Sequence, residues 1–560
     1  MRNGRTREKG RRLRVDERTL RSSMMKYPLT LNALLGRAEK LFDSVEIVSR
    51  LPDRSLDRVT YGDFCRRAKA LAEALQAFGL RRGDRVATLM WNHSAHLEAY
   101  FGVPLAGGVL HTLNLRLAAA DLVYIIQHAG DRYLIVDDIL LPLFEKVADQ
   151  VSLEQVFVVP WTGQPLPARY ESYEDLLDKA SGRFSYLDLD EDEALGMCYT
   201  SGTTGKPKGV VYSHRAVVLH SLAECLPDAL DVSQRDVLMP VVPMFHANAW
   251  GLPFSGAMVG CKLVFPGPYL DEESLLDLFD SEGVTLTAGV PTVWLEVLKA
   301  LEANPDRWRL TAGMRLIVGG SAVPESLLRD FDRHGLEVIQ AWGMTETTPL
   351  GTVSRLKRHM LDLPEEEQYR YRARQGLPVP LVETRSVNEA GEVPWDDQTM
   401  GELQVRGPWV ASSYYRQEEA QDQWTKAGWF RTGDVVTIDG EGCVKITDRT
   451  KDLIKSGGEW VSSVDLENAL MGHPAVAEAA VIGVFHPKWM ERPLAVVVLN
   501  TGWQASAEEL RQFLARRFVK WWLPDGFVFT ENLPRTSTGK FLKSELRKRF
   551  QDYKFSSQKD

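Results

Sequence analysis

Thr200-Ser-Gly-Thr-Thr-Gly-Lys-Pro-Lys-Gly209 packs hydroxyls, glycines and two lysines into one short run. Glycines let the backbone approach a ligand closely and take up positive φ. Clustered N–H groups, hydroxyls and ammonium groups make a concave anion site. The apolar run Ala194-Leu-Gly-Met-Cys-Tyr199 before it reads as a buried strand, and His214 to Leu226 after it has helical periodicity. A loop between a strand and a helix is a common seat for nucleotide phosphates. It is not a Walker A loop, because Pro207 stands where that motif needs its second glycine. Kinase and GTPase readings lose support accordingly. A plain surface loop draws on the same residue types, but turn chemistry alone does not call for two threonines and two lysines.

Outward from this loop, helical patterns alternate with short β-rich runs between Tyr61 and Phe265, among them Arg85–Met90 and Tyr133–Val136. Val284–Thr287, Met314–Val318 and Glu337–Ile339 continue the alternation. This predicts α/β architecture with parallel-rich sheets. After Gly376 the chain turns to β-rich, turn-rich sequence, with Gly401–Arg406 and Gly442–Ile446 alternating at strand period. We expect a small β-barrel-like part there. The charged segment Asp448-Arg-Thr-Lys-Asp452 separates off a small α+β region with helices over Val464–Met471 and Ala507–Phe518. Strands are expected over Ala479–Val484 and Leu494–Leu499. The expected division is a basic, disordered extension over 1–26, a large N-terminal domain over 27–447, a hinge over 448–452 and a C-terminal domain over 453–560.

A chain of 560 residues is long enough for more than one domain. Its net charge of −9 argues against a general nucleic-acid binder. Cys65, Cys198, Cys225, Cys261 and Cys443 are scattered and form no C-x-x-C, so neither a disulfide framework nor a zinc site is indicated. A cytoplasmic location is the simplest reading. The basic extension carries no apolar core of a secretory leader. It suits weak contact with anionic lipid, although its composition favours plain disorder. Met24 or Met25 would serve as an alternative start. Val241 to Phe265 is apolar but holds His246, Asn248, Lys262 and prolines at 243 and 253, each polar group being costly in lipid. We read it as a buried helix lining an apolar cavity. Glu365 to Arg374 reads as a solvated helix.

Further segments end strands with small, polar and aromatic residues. They are Gly319-Gly-Ser-Ala-Val-Pro324, Gln340-Ala-Trp-Gly-Met-Thr-Glu-Thr-Thr348 and Gly428-Trp-Phe-Arg-Thr-Gly-Asp434. Ligands of open α/β sheets gather beyond the carboxyl ends of strands, so these segments are expected to meet in one cleft. Together they resemble the adenylate-forming superfamily of acyl-CoA synthetases, adenylation domains and luciferases, from about Tyr27 to Lys548. Pro243-Met-Phe-His-Ala-Asn-Ala-Trp250, Gly289-Val-Pro-Thr-Val-Trp294 and Asp448 to Trp460 resemble bacterial medium- and long-chain fatty acyl-CoA synthetases. Methylmercaptopropionate-CoA ligases are similar through the same stretches, which keeps that acid, or another short or aryl acid, as the alternative substrate.

The resemblance implies that a carboxylic acid and ATP give acyl-AMP and pyrophosphate, and that coenzyme A then takes the acyl group. It implies phosphate contacts for Thr200, Ser201, Gly202, Thr203, Thr204, Gly205, Lys206 and Lys208, with Thr204 among the catalytic groups. Glu346 would bind Mg²⁺ with Thr200, a hard cation with few protein ligands and phosphate oxygens suiting magnesium. Adenine would lie against Trp342, framed by Gly320, Gln340, Ala341 and Thr345. Asp434 would accept from the ribose hydroxyls, supported by Arg449. Lys540, in Pro534-Arg-Thr-Ser-Thr-Gly-Lys540, would bridge the attacking carboxylate and the α-phosphate. His246 would stand near the acyl carboxylate and Trp250 would gate the acyl tunnel. Met258, Val259, Val290 and Val293 are candidate apolar walls, though core packing explains them equally well. For the second step the C-terminal domain would rotate about Lys451. Gly457, Gly458 and Glu459 would then approach the pantetheine, and Lys455 and Trp460 would contact nucleotide. Relatives of this kind suggest a homodimer. Two rivals are weighed. An adenylation domain for an α-amino acid would want a buried carboxylate for the ammonium group, and Phe245–Trp250 has none. A catalytically inactive binding homologue is opposed by the presence of Thr204, Glu346, Asp434, Arg449 and Lys540.

Overall fold

A parallel sheet needs both faces covered, and the helices of this chain supply that cover. The computed structural model describes residues 22–200, 206–321, 323–456, 459–535 and 541–555. Ser201 to Gly205, Gly457, Gly458, Lys540 and residues 1–21 of the basic extension lie outside them. In a nine-stranded sheet, Glu46–Arg50, Lys262–Phe265, Val237–Pro240, Leu286–Gly289, Arg315–Val318 and Glu337–Gly343 run parallel. In a seven-stranded sheet, Gln155–Val159, Asp131–Asp137, Arg85–Leu89, Val109–Thr112 and Ala194–Tyr199 do the same. The expected strand runs thus form two parallel-rich sheets.

Helix Ser94–Leu105 is buried from Ala95 to its end, the signature of an element enclosed on all sides. Its Phe101 meets Phe64 of helix Tyr61–Ala77 edge-on (5.2 Å between ring centres) and Phe254 of helix Leu252–Val259 at 5.6 Å. Three helices from distant parts of the chain therefore share one core. Thr60 and Asp63 cap the second of them reciprocally, which fixes where it starts.

Two expectations are corrected. The 200–209 loop does not lead into a helix. Gly209–Ser213 returns as an antiparallel strand against Ala194–Tyr199, and helix His214–Glu224 begins only after it, capped by Ser213. Val210 and Val211 give the return strand its β-branched character, and Thr200 N–H donates to Lys208 O (2.9 Å) to close the loop's base. The stretch from Val241 to Phe265 is not one helix either. It holds a tight turn over Ala247–Gly251, helix Leu252–Val259 and strand Lys262–Phe265.

The turn-rich part forms a five-stranded antiparallel sheet that includes Glu383–Asn388, Gly401–Arg406, Phe430–Ile438 and Val444–Arg449. Glu365–Arg372 is a helix on the outside, tied down by Arg372 on Asp332 (2.5 Å) and by the buried ring of Tyr369. The C-terminal region pairs Val476–His486 with Met490–Leu499 and packs helices Ser463–Met471 and Ala507–Ala515 against them. It joins the rest through a buried polar knot. Asp448 accepts from Ser463 N–H and Oγ–H (2.7 and 2.6 Å), and Lys543 reaches Glu467 (2.7 Å). Burial pushes the Glu467 carboxyl up to about 7, against the pull of the Lys543 ammonium. Among the described residues, no helix is long and apolar enough to cross a membrane.

Candidate active site

Register places the site. Gly289 lies opposite Val318, and Val318 opposite Gln340. The parallel ladder therefore ends at Gly289, Val318 and Gln340 side by side, with Val290, Gly319 and Ala341 next along at the carboxyl ends of the parallel pairing. A cavity of about 350 Å³ opens there. Thr200, Lys206, Lys208, His246, Trp250, Gly320, Ala341, Trp342, Thr345, Glu346, Arg449 and Lys451 all line it. A second cavity of about 330 Å³ shares Gly320, Ala341, Trp342, Arg449 and Lys451, adds Gln340 and Asp434, and runs beneath Arg535 and Lys543 of the C-terminal region. Lys455 and Trp460 line neither. They sit across a hairpin from each other, the Lys455 ammonium 5.0 Å from the Trp460 ring centre. The C-terminal region thus offers the cleft helix Ser463–Met471, Arg535 and the 541–547 stretch, and not this hairpin.

Trp342 is held before any ligand arrives. Its indole N–H donates to Asp434 Oδ2 (2.9 Å), and a Cβ at Gly351 would stand 2.5 Å from its ring. Asp434 lies directly across the strand pair from Arg449, whose Nε is 3.3 Å from Asp434 Oδ1. The carboxylate expected to serve a ribose is thus already oriented by an indole and a guanidinium. Gln340 is buried, accepts from Val323 N–H (3.2 Å) through Oε1, and leaves its Nε2 donor without a partner beside the second cavity. An unspent amide donor there matches a purine ring nitrogen.

Glu346 is buried and accepts from Tyr414 Oη–H (2.5 Å). Burial raises its pKa, opposed first by that hydrogen bond and then by Lys208 and Arg449. Lys208 lies over the same tyrosine ring (4.7 Å). Thr200 Oγ1 accepts from Lys208 N–H (3.1 Å), so one backbone contact orients it. No group of three or more His, Cys, Asp or Glu side chains that could cage a metal occurs among the described residues. One carboxylate and one hydroxyl in a cavity lined by lysines fit a magnesium ion held mainly by phosphate oxygens, and do not fit a protein-caged metal.

His246 opens the turn on the opposite wall. Ala247, Asn248, Ala249 and Trp250 have φ of 43, 54, 49 and 57°, followed by Gly251 at 84°. L-residues in the left-handed region cost roughly 1–2 kcal/mol each. Buried Asn92 anchors the run ahead of the turn, donating to Pro240 O and Val242 O (3.0 and 2.9 Å) and accepting from Met244 N–H (2.7 Å). The turn lays the Trp250 ring against Gly319, where a Cβ would approach it to 3.1 Å. Beyond Trp250 the cavity is lined by Leu230, Val290, Ile317, Leu350 and Glu224. Of the four candidate walls, Val290 alone lines the cavity. Met258 and Val259 pack in the helical core and Val293 packs beneath the nine-stranded sheet, because helix Leu252–Val259 lies behind the turn.

Sequence reading missed two residues of this site. Tyr414 carries no motif and stands 68 positions from its partner Glu346. Glu224 had a signal, an acidic residue one turn after His220 on a largely buried helix, but it lies outside Phe245–Trp250, the stretch read for a pocket carboxylate.

Residues 37–415 match the family described as AMP-binding enzyme, and residues 465–540 match the AMP-binding enzyme C-terminal domain. A long-chain-fatty-acid–CoA ligase of Thermus thermophilus is 51% identical over 95% of this chain and 97% of its own. A 3-methylmercaptopropionyl-CoA ligase of Ruegeria lacuscaerulensis is 45% identical over 94% and 98%. The solved structure of ATP-bound MatB from Rhodopseudomonas palustris superposes with a TM-score of 0.79 at 27% identity, covering 94% of this chain and 100% of that one.

Proposed function

We infer what this protein does from one premise: the chain belongs to the AMP-binding enzyme family. It is an acid–thiol ligase. A carboxylic acid and ATP give an acyl adenylate and pyrophosphate, and coenzyme A then displaces AMP to give the thioester. The acid we assign is a medium- or long-chain fatty acid. The observation that carries the reading is the convergence, on one cleft, of Thr200, Lys208, His246, Trp250, Trp342 and Glu346 from segments far apart in the chain.

A carboxylate and a triphosphate repel, so positive charge must be in place first. Lys206 and Lys208 supply it at the phosphate end, with Thr200 at the loop's base. When bound, magnesium would draw charge from the phosphate oxygens, held by Glu346 and Thr200. The Asp434–Trp342–Arg449 group orients the nucleoside, and Gln340 offers its free amide hydrogen to the base. His246 faces the acid's carboxylate while Trp250 shields it from water. Lys540 then neutralises charge between acid and α-phosphate, and Lys451 marks the pivot for the thiol step. The shorter 3-methylmercaptopropionate is the second reading, favoured by the second relative named above. We place the enzyme in the cytoplasm, supported by its unpaired cysteines. Homodimer formation and weak lipid contact through the basic extension complete the reading, to be checked by sedimentation and vesicle flotation.

Pyrophosphate release and thioester formation, measured with octanoate, palmitate and 3-methylmercaptopropionate, test the assignment. Thioester is expected with at least one of the two fatty acids, and Lys540→Ala should slow pyrophosphate release by about a thousandfold. Full-speed release in that variant removes the lysine from the mechanism. Turnover of 3-methylmercaptopropionate alone replaces the fatty acid assignment.

A further inference from the structure

One carboxyl group on the acyl side of the cleft has no partner. Glu224 ends the buried helix His214–Glu224, is fully enclosed, and lines the main cavity with Leu230, Ile317 and Leu350. Neither of its oxygens makes a hydrogen bond. The Ser255 hydroxyl donates to Leu252 O (3.3 Å) and lies near enough to Glu224 to ease its ionisation in part. His220 lies one turn earlier, with Nδ1 3.9 Å from Glu224 Oε2, too far for a hydrogen bond. Its other ring nitrogen, Nε2, accepts the Leu350 N–H (3.1 Å) and so must carry a lone pair. His220 is therefore neutral and gives Glu224 no cation. The turn that carries Trp250 sits directly on this pair. A Cβ at Gly251 would stand 2.6 Å from His220 Cε1 and 3.2 Å from Glu224 Oε2.

A buried carboxyl without a partner forfeits solvation and gains nothing in return, and native structures keep such groups where a ligand atom completes them. The choice of ligand atom follows from the walls. Burial raises the Glu224 pKa well above the usual carboxylate range and so favours the neutral acid, which has one donor and spare acceptor capacity. An ammonium ion would have to be stripped of water against apolar walls, which a single ion pair repays poorly. A hydroxyl both donates and accepts, and matches the neutral acid on both counts.

We propose that Glu224 is a specificity-determining residue that hydrogen-bonds a hydroxyl group carried by the acyl chain, so that hydroxylated fatty acids are preferred to plain ones. The proposal rests on the acyl-CoA ligase reading and names its substrate class more finely. Sites built to bond a substrate hydroxyl reject the analogue lacking it far more strongly than apolar pockets reject a methylene.

The test uses the full-length enzyme with octanoate, decanoate and dodecanoate and their terminally hydroxylated and aminated counterparts. Thioester formation gives kcat/KM, and calorimetry gives binding without turnover. The hydroxy acid is expected to exceed its plain counterpart by more than about tenfold at one chain length at least. Glu224→Leu should reverse that order, and Glu224→Gln, which keeps both hydrogen-bonding functions, should retain it. An unchanged ratio in Glu224→Leu at every length overturns the proposal. So does a preference for the amino acid that Glu224→Gln abolishes, which makes the site a cation site. If no acid yields thioester, the ligase reading fails by itself, and the binding order still decides the role of Glu224.

Discussion

Two buried helices each carry one glutamate into the core, and the two are treated in opposite ways. In Ser94–Leu105, Glu98 is bracketed by Arg67 Nε (2.7 Å) and Tyr173 Oη (2.8 Å). In His214–Glu224, Glu224 has no partner. Among the described residues, the other buried glutamates side with Glu98. Glu282 meets Arg58 and Lys262, Glu346 meets Tyr414, and Glu467 meets Lys543 and Val481 N–H. Burial alone does not separate these groups, since Glu98 and Glu224 are both nearly inaccessible. What separates them is location. The paired ones brace the scaffold, the Tyr414 side of the cleft and the helices of the C-terminal region. The unpaired one lines the cavity together with Trp250. A polar group whose partner comes and goes with substrate is one the fold leaves unspent.

The largest effect expected from this contrast is at Glu98. Glu98→Leu leaves Arg67 and the Tyr173 hydroxyl short of a partner and should cost about 3 kcal/mol in chemical denaturation. A neutral result would erase the distinction between the two helices. Glu346→Gln keeps an acceptor for Tyr414 but loses the charge. Pyrophosphate release should fall about a hundredfold in kcat/KM and require more magnesium for half-maximal rate. If the magnesium dependence does not move, Glu346 belongs with the scaffold acids.

In the C-terminal region Glu467 pairs with Lys543 inside the core. Glu467 has a folded pKa raised from 4.5 to about 7, mainly by burial. The native chain therefore holds a proton there that the unfolded chain has released. Stability should fall as pH rises from about 4.5 to about 7, by up to about 3 kcal/mol. Glu467→Gln should flatten that stretch of the stability profile. The smallest change in stability is expected at Glu224. Glu224→Leu should be neutral or stabilising within about 1 kcal/mol, since it removes an unsatisfied group and breaks no bond. A large loss would mean that Glu224 has a structural partner after all.

Much of this architecture was legible in the sequence. The strand runs at 85–90, 133–136, 314–318 and 337–339 carry their own signal, because a strand buried on both faces must be apolar along its length. The cleft segments were legible because glycine, hydroxyl and aromatic residues cluster where a chain leaves a sheet for a ligand. The return strand Gly209–Ser213 was not, since five residues with two valines take their identity from pairing with Ala194–Tyr199. The turn at 247–251 was not legible either. Nothing in Ala-Asn-Ala-Trp announces four left-handed residues, which persist because Asn92 and the helix behind them hold the segment.

The sequence by itself determined the α/β class, the family, and which segments gather at one cleft. Those are matters of residue type and local order along the chain. The tertiary structure alone decided which buried acids are spent and which are free. That depends on the distance between side chains dozens or hundreds of positions apart. A hydrogen bond or ion pair reaches only about 3 Å, and no periodicity encodes contact at that range.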